Sequence, residues 1–225
     1  MAVQKRFEGL IEEWPEQALL YVPILPGFIL SASSRDELID FALDAIDLHI
    51  AWLERHLAPL PLEHDGGLAV LEVLPAVGTV GPLFDADRIE LSADQIENAL
   101  SLGRIALSDI IDLVDELESA GKANAEMQRI TLHICVLDIW YSTRLGGPDP
   151  ALKPVADPLD AMIQAGGLFE VRVDERVISG FDDPGDVTTI DGEDWTLTKL
   201  LRRRTAHIRE HAIELAALLP DDESI

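Results

Sequence analysis

Cysteine and positive charge are both scarce in this chain of 225 residues. The single cysteine, Cys135, excludes an internal disulfide framework and a zinc site built from several cysteines. The chain has 17 Lys and Arg residues and 42 Asp and Glu residues, which gives a formal net charge of −25. Because Lys and Arg neutralise the phosphates of nucleic acids and anionic membranes, this balance argues against either as a partner.

Long hydrophobic runs are also missing. No stretch of about 18 apolar residues occurs, so we predict no transmembrane helix. The first ten residues lack the apolar centre of a secretory signal. Apolar residues nevertheless make up 48% of the chain, which is typical of globular proteins and too high for a disordered one. Together these features predict a soluble, cytoplasmic protein. Neither a Gly-rich phosphate loop nor a Gly-x-Ser-x-Gly motif is present.

The first 85 residues predict an α+β domain with a linker, in which a small antiparallel sheet packs on one helix. The segments that read as strands are residues 7–11, 18–24, 28–32 and 68–74. Between the third and fourth strands, apolar residues recur at helical spacing over residues 35–56, after a candidate N-cap at Ser34. Several Gly and Pro residues then place a domain boundary near residue 85.

Residues 86–225 predict an all-α four-helix bundle. Four segments with an apolar period near 3.6 are bounded by caps or breakers: residues 92–121, 123–145, 158–178 and 196–219. The first is expected to begin with a capping box of Ser92 and Gln95. The pair Gly166-Gly167 weakens the third helix, because each Gly costs about 1 kcal/mol relative to Ala. Residues 180–192 read as a polar loop.

Three histidines of this second region can converge on one metal ion. His207 and His211 are four residues apart, which places both imidazoles on one face of the last helix. His133 lies on the second helix among apolar same-face neighbours, so it is expected to point into the bundle and complete a three-histidine site. The alternatives are a surface pair beside charged residues and a core histidine, and the spacing alone leaves them open.

Other residues near these histidines have more than one interpretation. Glu214 shares the face of the histidine pair and is a fourth ligand, an orienting partner, a general base or simply a solvated carboxylate. Trp140 and Tyr141 either line the approach to the metal or pack in the core. Cys135 lies about 200° around the helix from His133, which predicts a buried structural cysteine. The remaining histidines are expected on the surface: His49, His56 and His64.

The basic run at residues 202–204 predicts a salt-bridging face or an anion contact. It could pair with acidic residues of a neighbouring helix or of a partner chain. In a chain of this acidity, it does not indicate a nucleic-acid site.

Residues 87–219 share motifs with a known superfamily. These are Leu-His-Ile around His133, Trp140-Tyr141, the segment DGEDWTL at 191–197 and the closing His-x-x-x-His pair. With them the region resembles the DinB-like superfamily of metal-binding four-helix bundles. The resemblance implies a nickel or zinc ion held by His133, His207 and His211. It also implies an activity of the kinds found among relatives, which include thiol-dependent transferases, isomerases and hydrolases.

The first domain has a motif of its own, YVPILPGF at residues 21–28, followed by an apolar helix. With it the domain resembles HicB-like antitoxin domains. The resemblance implies a Pro-Gly chain reversal between two strands, a helix packed on the sheet, and binding or regulation in place of catalysis. In the antitoxin case the partner is a small basic toxin.

Three functional hypotheses follow, and the last is a structural bundle whose histidines only pack in the core. The first is a metal-dependent enzyme that acts on a small-molecule substrate, with a homodimer as the expected assembly. The second is a non-catalytic interaction protein whose acidic surface suits a basic protein partner. In the first hypothesis, the net charge of −25 would favour loading of a cation and disfavour anionic substrates.

Overall fold

A computed structural model of the chain describes residues 6–56, 58, 67–77, 81–146, 157–178 and 186–219. Within these residues the fold is α+β, with a small mixed sheet, a two-stranded hairpin and five α-helices. The elements are β1 (Phe7–Glu13), β2 (Ala18–Tyr21), β3 (Leu30–Ala32), α1 (Arg35–Arg55), β4 (Leu68–Pro75), a 3-10 turn (Asp85–Arg88), α2 (Ala93–Ser119), α3 (Ala125–Thr143), α4 (Pro158–Ile178), β5 (Thr188–Ile190), β6 (Glu193–Trp195) and α5 (Leu197–Ala216).

The main sheet has the strand order β3-β2-β1-β4. Strands β1, β2 and β3 pair antiparallel as predicted, but β4 pairs parallel to β1, so the prediction of a fully antiparallel sheet is wrong. The physical reason is the crossover helix α1, which returns the chain to the end of the sheet where β3 began. Strand β4 therefore runs in the same direction as β3 and β1.

Both faces of the central strands are covered. On one face, Phe7, Ile11 and Leu20 belong to a core that also contains buried residues of α1. On the other face, Leu10 and Tyr21 cluster with Phe84 and with Ala206 of α5, together with Leu19 of β2. This alternation has the period of two expected of strands. The sheet thus contacts α5 directly, while the predicted division near residue 85 stays a prediction.

Four long helices form the rest of the fold. Helix α3 packs against α4, α2 packs against α5, and α3 also contacts α5. The predicted capping box of α2 is confirmed, because Gln95 N–H donates to Ser92 Oγ at 3.3 Å and Ser92 N–H donates to Gln95 Oε1 at 2.8 Å. The predicted cap of α1 is confirmed by the Glu37 N–H donating to Ser34 Oγ at 3.3 Å. None of the helices in the described ranges has the length and apolarity needed to cross a bilayer.

Helix α4 continues through Gly166 and Gly167. A methyl group at Gly166 would come within 2.9 Å of Leu107 Cδ1 and within 3.4 Å of Arg204 Nη2. At this position glycine allows α4 to approach α2 and α5 closely, which offsets its low helix propensity.

The end of the predicted loop at residues 180–192 belongs to a hairpin that continues to Trp195. Strands β5 and β6 pair antiparallel around Asp191 and Gly192, which have φ values of 54° and 80°. Two positive φ values at an Asp-Gly pair are typical of a type I′ hairpin turn.

The basic run at the start of α5 is a row of ion pairs in the interior. Each arginine hydrogen-bonds to a buried acid: Arg202 to Asp87, Arg203 to Glu12, and Arg204 to Asp138. Arg202 also lies 3.7 Å from Glu12. The three acids come from the 3-10 turn, β1 and α3 respectively. The predicted salt bridges are confirmed, although they tie α5 to its neighbours and do not form a surface face.

Candidate metal centre

Two capped helices position the three histidines. Helix α3, which carries His133, starts after Asn124, whose side chain accepts from the Met127 N–H at 2.9 Å. Helix α5, which carries the histidine pair, starts after Thr196, whose hydroxyl accepts from the Lys199 N–H at 3.1 Å. Each cap satisfies a backbone donor at the helix start and so defines where the helix begins.

The three imidazoles meet through their Nε2 atoms. The Nε2 atom of His207 lies 3.3 Å from that of His133 and 2.8 Å from that of His211. One ligand atom from each residue lies within 4.8 Å of the others. The structure therefore brings together the three histidines that the sequence singled out. No other group of three or more possible ligands is found within the described ranges.

Glu214 orients one of these rings. Its Oε2 atom lies 2.7 Å from Nδ1 of His211, which is only 5% exposed. Because an ionised carboxylate only accepts hydrogen bonds, this contact places a proton on Nδ1 and leaves the Nε2 lone pair pointing at the other two rings. Of the four roles open to Glu214 from the sequence, the geometry is that of an orienting partner.

Burial disfavours protonation of two of the three histidines, His207 and His133. The pKa of His207 is lowered from 6.5 to about 3, mainly by burial and then by the neighbouring His211 and His133. Burial and His211 also lower the pKa of His133. A metal ligand must be a neutral imidazole, so these shifts make the lone pairs available at neutral pH.

Glu210 lies beside the cluster and has a closer relation to it than that of a charged surface neighbour, which is all that the sequence indicated. Its Oε2 atom lies 3.7 Å from Nδ1 of His207, and burial together with Glu214 raises the pKa of Glu210 to about 7. The signal was present, because Glu210 follows His207 by three residues just as Glu214 follows His211. Residues three apart are neighbours on a helix surface.

The donor set fits a divalent metal. Zinc binds imidazole nitrogen at about 2.0–2.1 Å, so two nitrogens of a tetrahedral site are about 3.3 Å apart. The Nε2 separation of 3.3 Å between His207 and His133 equals that value, and the separation of 2.8 Å between His207 and His211 is shorter. Imidazole also suits nickel, so the donors do not distinguish the two metals. Three lone pairs aimed at one point repel each other unless a cation or a proton lies between them.

Trp140 and Tyr141 belong to a separate apolar cluster. Their rings lie 5.3 and 6.1 Å from that of Trp195, measured between centroids, and Tyr141 is 4% exposed. The guanidinium of Arg144 lies over the ring of Trp140, 4.2 Å from its centroid. These contacts correspond to the core-packing interpretation of the pair.

The prediction of a surface position is wrong for His49. This side chain is 7% exposed and its Nε2 atom lies 3.2 Å from the Pro26 carbonyl oxygen. Burial, followed by Arg209, lowers the pKa of His49 to about 4. His56 is half-buried, with Nδ1 3.0 Å from a carbonyl oxygen of its own helix. His64 lies outside the described residues.

The prediction for Cys135 is confirmed. The thiol is buried in the main core, and burial raises its pKa. A buried thiol of this kind is unreactive.

Comparisons of the chain with protein-family models, with curated proteins and with solved structures found no match. The resemblances to DinB-like bundles and HicB-like domains therefore stay predictions carried by the motifs of residues 87–219 and 21–28.

Proposed function

We propose that this protein binds one divalent metal ion, zinc or nickel, through His133, His207 and His211. The observation that supports the proposal is the convergence of three Nε2 atoms. That of His207 lies 3.3 Å from that of His133 and 2.8 Å from that of His211. The interpretation of α2 to α5 as a DinB-like four-helix bundle belongs to the same proposal.

The proposed site is catalytic in type. Three protein ligands leave a coordination position open, whereas structural zinc sites are closed by four. A bound metal would supply a Lewis acid at this position. The reaction we propose is that of a metal-dependent transferase or hydrolase, thiol-dependent as in some DinB-like relatives. With a net charge of −25, the protein favours a neutral or cationic small-molecule substrate in the cytoplasm.

A non-catalytic interaction function is the second candidate, and the outer face of α1 favours it. Large apolar side chains are exposed there, including Phe41 at 54% and Leu48 at 74%. Exposed acids share this face: Asp36, Asp40, Asp44 and Asp47. A basic protein with apolar anchors would complement such a surface. Binding of an identified basic protein that is lost in Asp40→Lys/Asp44→Lys, while the metal content is unchanged, would favour this candidate.

The metal content of the purified protein tests the first proposal. The chain is produced without a polyhistidine tag, because such a tag binds zinc and nickel itself. Cultures receive both metals, and inductively coupled plasma mass spectrometry measures each metal per chain. The variant His207→Ala removes a central ligand, and His56→Gln is a matched control that changes a histidine outside the cluster.

We expect about one equivalent of zinc or nickel in the wild type and in His56→Gln, and a loss of about tenfold or more in His207→Ala. Circular dichroism checks that both variants are folded. Metal-free wild type under these conditions, or His207→Ala with the wild-type metal content, would show that the cluster is not a metal site.

A further inference from the structure

A cavity of about 200 Å³ lies between the turn at residues 22–28 and the starts of α2 and α5. We refer to it as the turn cavity. Its walls are mainly apolar and come from both parts of the fold: Val22, Leu25, Phe28, Leu91, Ala99 and Leu201. Apolar pockets at the junction of two structural units are common sites for small molecules.

The turn that forms one wall is held by its own hydrogen bonds. Leu25 N–H donates to Val22 O at 2.8 Å, and Phe28 N–H donates to Leu25 O at 2.9 Å. Gly27 has a φ of +83°, and a methyl group there would lie 3.0 Å from Thr205 Cγ2 of α5. Glycine is therefore needed for both the turn and its close approach to α5. These contacts make the wall preformed.

The charges that line the turn cavity cancel. Asp87 and Arg202 are the charged side chains among the described lining residues, and they form a two-point ion pair with both N–O distances at 2.8 Å. Nη1 of Arg202 also lies 3.7 Å from Glu12 Oε1, so the guanidinium faces two carboxylates and its charge is already neutralised for any further ionised group. Polar but uncharged side chains, Gln95 and Asn98, are exposed at the α2 side. The lining therefore suits an uncharged ligand.

The turn cavity is separate from the histidine cluster. Thr205 of its wall and His207 of the cluster are two residues apart on α5, which corresponds to about 200° around a helix. The two sites therefore lie on opposite faces of α5, and occupancy of one does not require the other.

We infer that the turn cavity is a binding site for a small, uncharged, mainly apolar molecule about as large as one or two fused aromatic rings. A cavity of about 150 Å³ lined by apolar side chains is enough to bind benzene. The present volume of about 200 Å³ accommodates slightly more. This binding function goes beyond the proposed metal site and does not rest on it.

Titration with three probes of similar size tests the inference. Indole is the neutral probe, and benzoate and benzylamine are its anionic and cationic counterparts. Calorimetry gives the affinity and NMR shifts locate the site on the full-length protein. Ala99→Phe fills the turn cavity, while Ala93→Phe is the matched control at an exposed position in the first turn of α2. His207→Ala tests independence from the metal.

We expect saturable 1:1 binding of indole with shifts at Val22, Leu25 and Phe28. Benzoate and benzylamine should bind at least tenfold more weakly. Ala99→Phe should reduce indole affinity at least tenfold, whereas Ala93→Phe and His207→Ala should leave it unchanged. Absence of saturable indole binding, equal affinity for the charged probes or shifts confined to other regions would overturn the inference. The wild-type shifts decide the question even if Ala99→Phe fails to fold.

Discussion

The two halves of helix α5 both bury polar side chains, but they satisfy them in opposite ways. In the first half, each of the three arginines meets an acid from another element at hydrogen-bond distance. In the second half, the histidines meet each other and a third histidine from α3. Buried polar groups are normally satisfied by complementary partners. The first half is therefore a structural junction, whereas the second half holds three Nε2 atoms that face one another, which makes it the candidate metal site.

The buried ion pair of Arg204 and Asp138 gives the largest expected effect. Both side chains are 1% exposed and make two hydrogen bonds, of 2.7 and 2.8 Å. Removing the arginine alone leaves a buried carboxylate without its partner, which costs about 3–5 kcal/mol. We expect Arg204→Met to lower the free energy of unfolding in urea by this amount.

The double variant Arg204→Met/Asp138→Leu is the control. Replacing both members of a buried pair with apolar residues is often neutral, so the double variant should recover most of the lost stability. A double variant as unstable as Arg204→Met would mean that the pair is not the source of the effect.

The second-largest expected effect is a pH dependence of the free energy of unfolding, and it comes from His49, a buried histidine outside the cluster. Its pKa is about 4 in the fold and 6.5 ordinarily, so below pH 6.5 the unfolded chain takes up a proton that the folded chain does not. The contribution of neutral His49 to the free energy of unfolding is fully present above pH 6.5. It falls with decreasing pH and is lost once the pH has fallen through about 4. The total is about 3 kcal/mol.

The variant His49→Gln isolates this contribution, because an amide can donate to the Pro26 carbonyl without titrating. Urea unfolding at pH 7 and at pH 4.5 measures the difference between wild type and variant. We expect the variant to lose less stability than the wild type over this interval. Parallel curves for the two proteins would contradict the assignment.

Glu214 gives the third effect and sharpens the metal interpretation. In Glu214→Gln the side chain no longer carries the charge that holds the proton on Nδ1 of His211. Loss of such an orienting partner lowers metal affinity by about 10–100-fold, and the 47% exposure of Glu214 predicts the lower end. Competition with a chelator measures the affinity. Glu118→Gln, at an exposed position near the end of α2, is the control and should leave it unchanged.

Two adjacent glycines of α4 give the smallest effect. Nothing lies within 4 Å of a methyl group at Gly167, whereas one at Gly166 would come within 3.4 Å of both Arg204 and Asp138. Gly167→Ala should raise the free energy of unfolding by about 0.5–1 kcal/mol through helix propensity. Gly166→Ala should lower it by about 1 kcal/mol, because overpacking exceeds that gain. Thermal unfolding should show shifts of opposite sign, and shifts of equal sign would refute the close packing of α4.

Local patterns in the sequence predicted much of the fold. The period of two in β1 and β2, the caps at Ser34 and Ser92 and the boundaries of the long helices all depend on neighbouring residues. The parallel pairing of β4 with β1 depends on residues about 60 positions apart, so no local pattern reports it. The hairpin at residues 188–195 was predictable in part, because Asp-Gly directly after the β-rich segment Thr188–Ile190 is a hairpin signal. The second strand, Glu193–Trp195, has two acids and so gives little local signal.

The candidate site was predictable in its three histidines and less so in its surroundings. The spacing of His207 and His211 places them on one face in any helix, and His133 followed from its apolar neighbours. The burial of His49 depends on the docking of the turn at residues 22–28 against α5, which is a tertiary contact. The interior position of the arginine run depends on three acids from separate elements.

The most direct measurement of the central claim is anomalous diffraction from crystals grown with zinc or nickel, recorded on both sides of the absorption edge of each metal. We expect one anomalous peak at about 2.0–2.1 Å from Nε2 of His133, His207 and His211, with Glu214 still bound to Nδ1 of His211. Peaks only elsewhere, or none at the histidines at full metal excess, would contradict it.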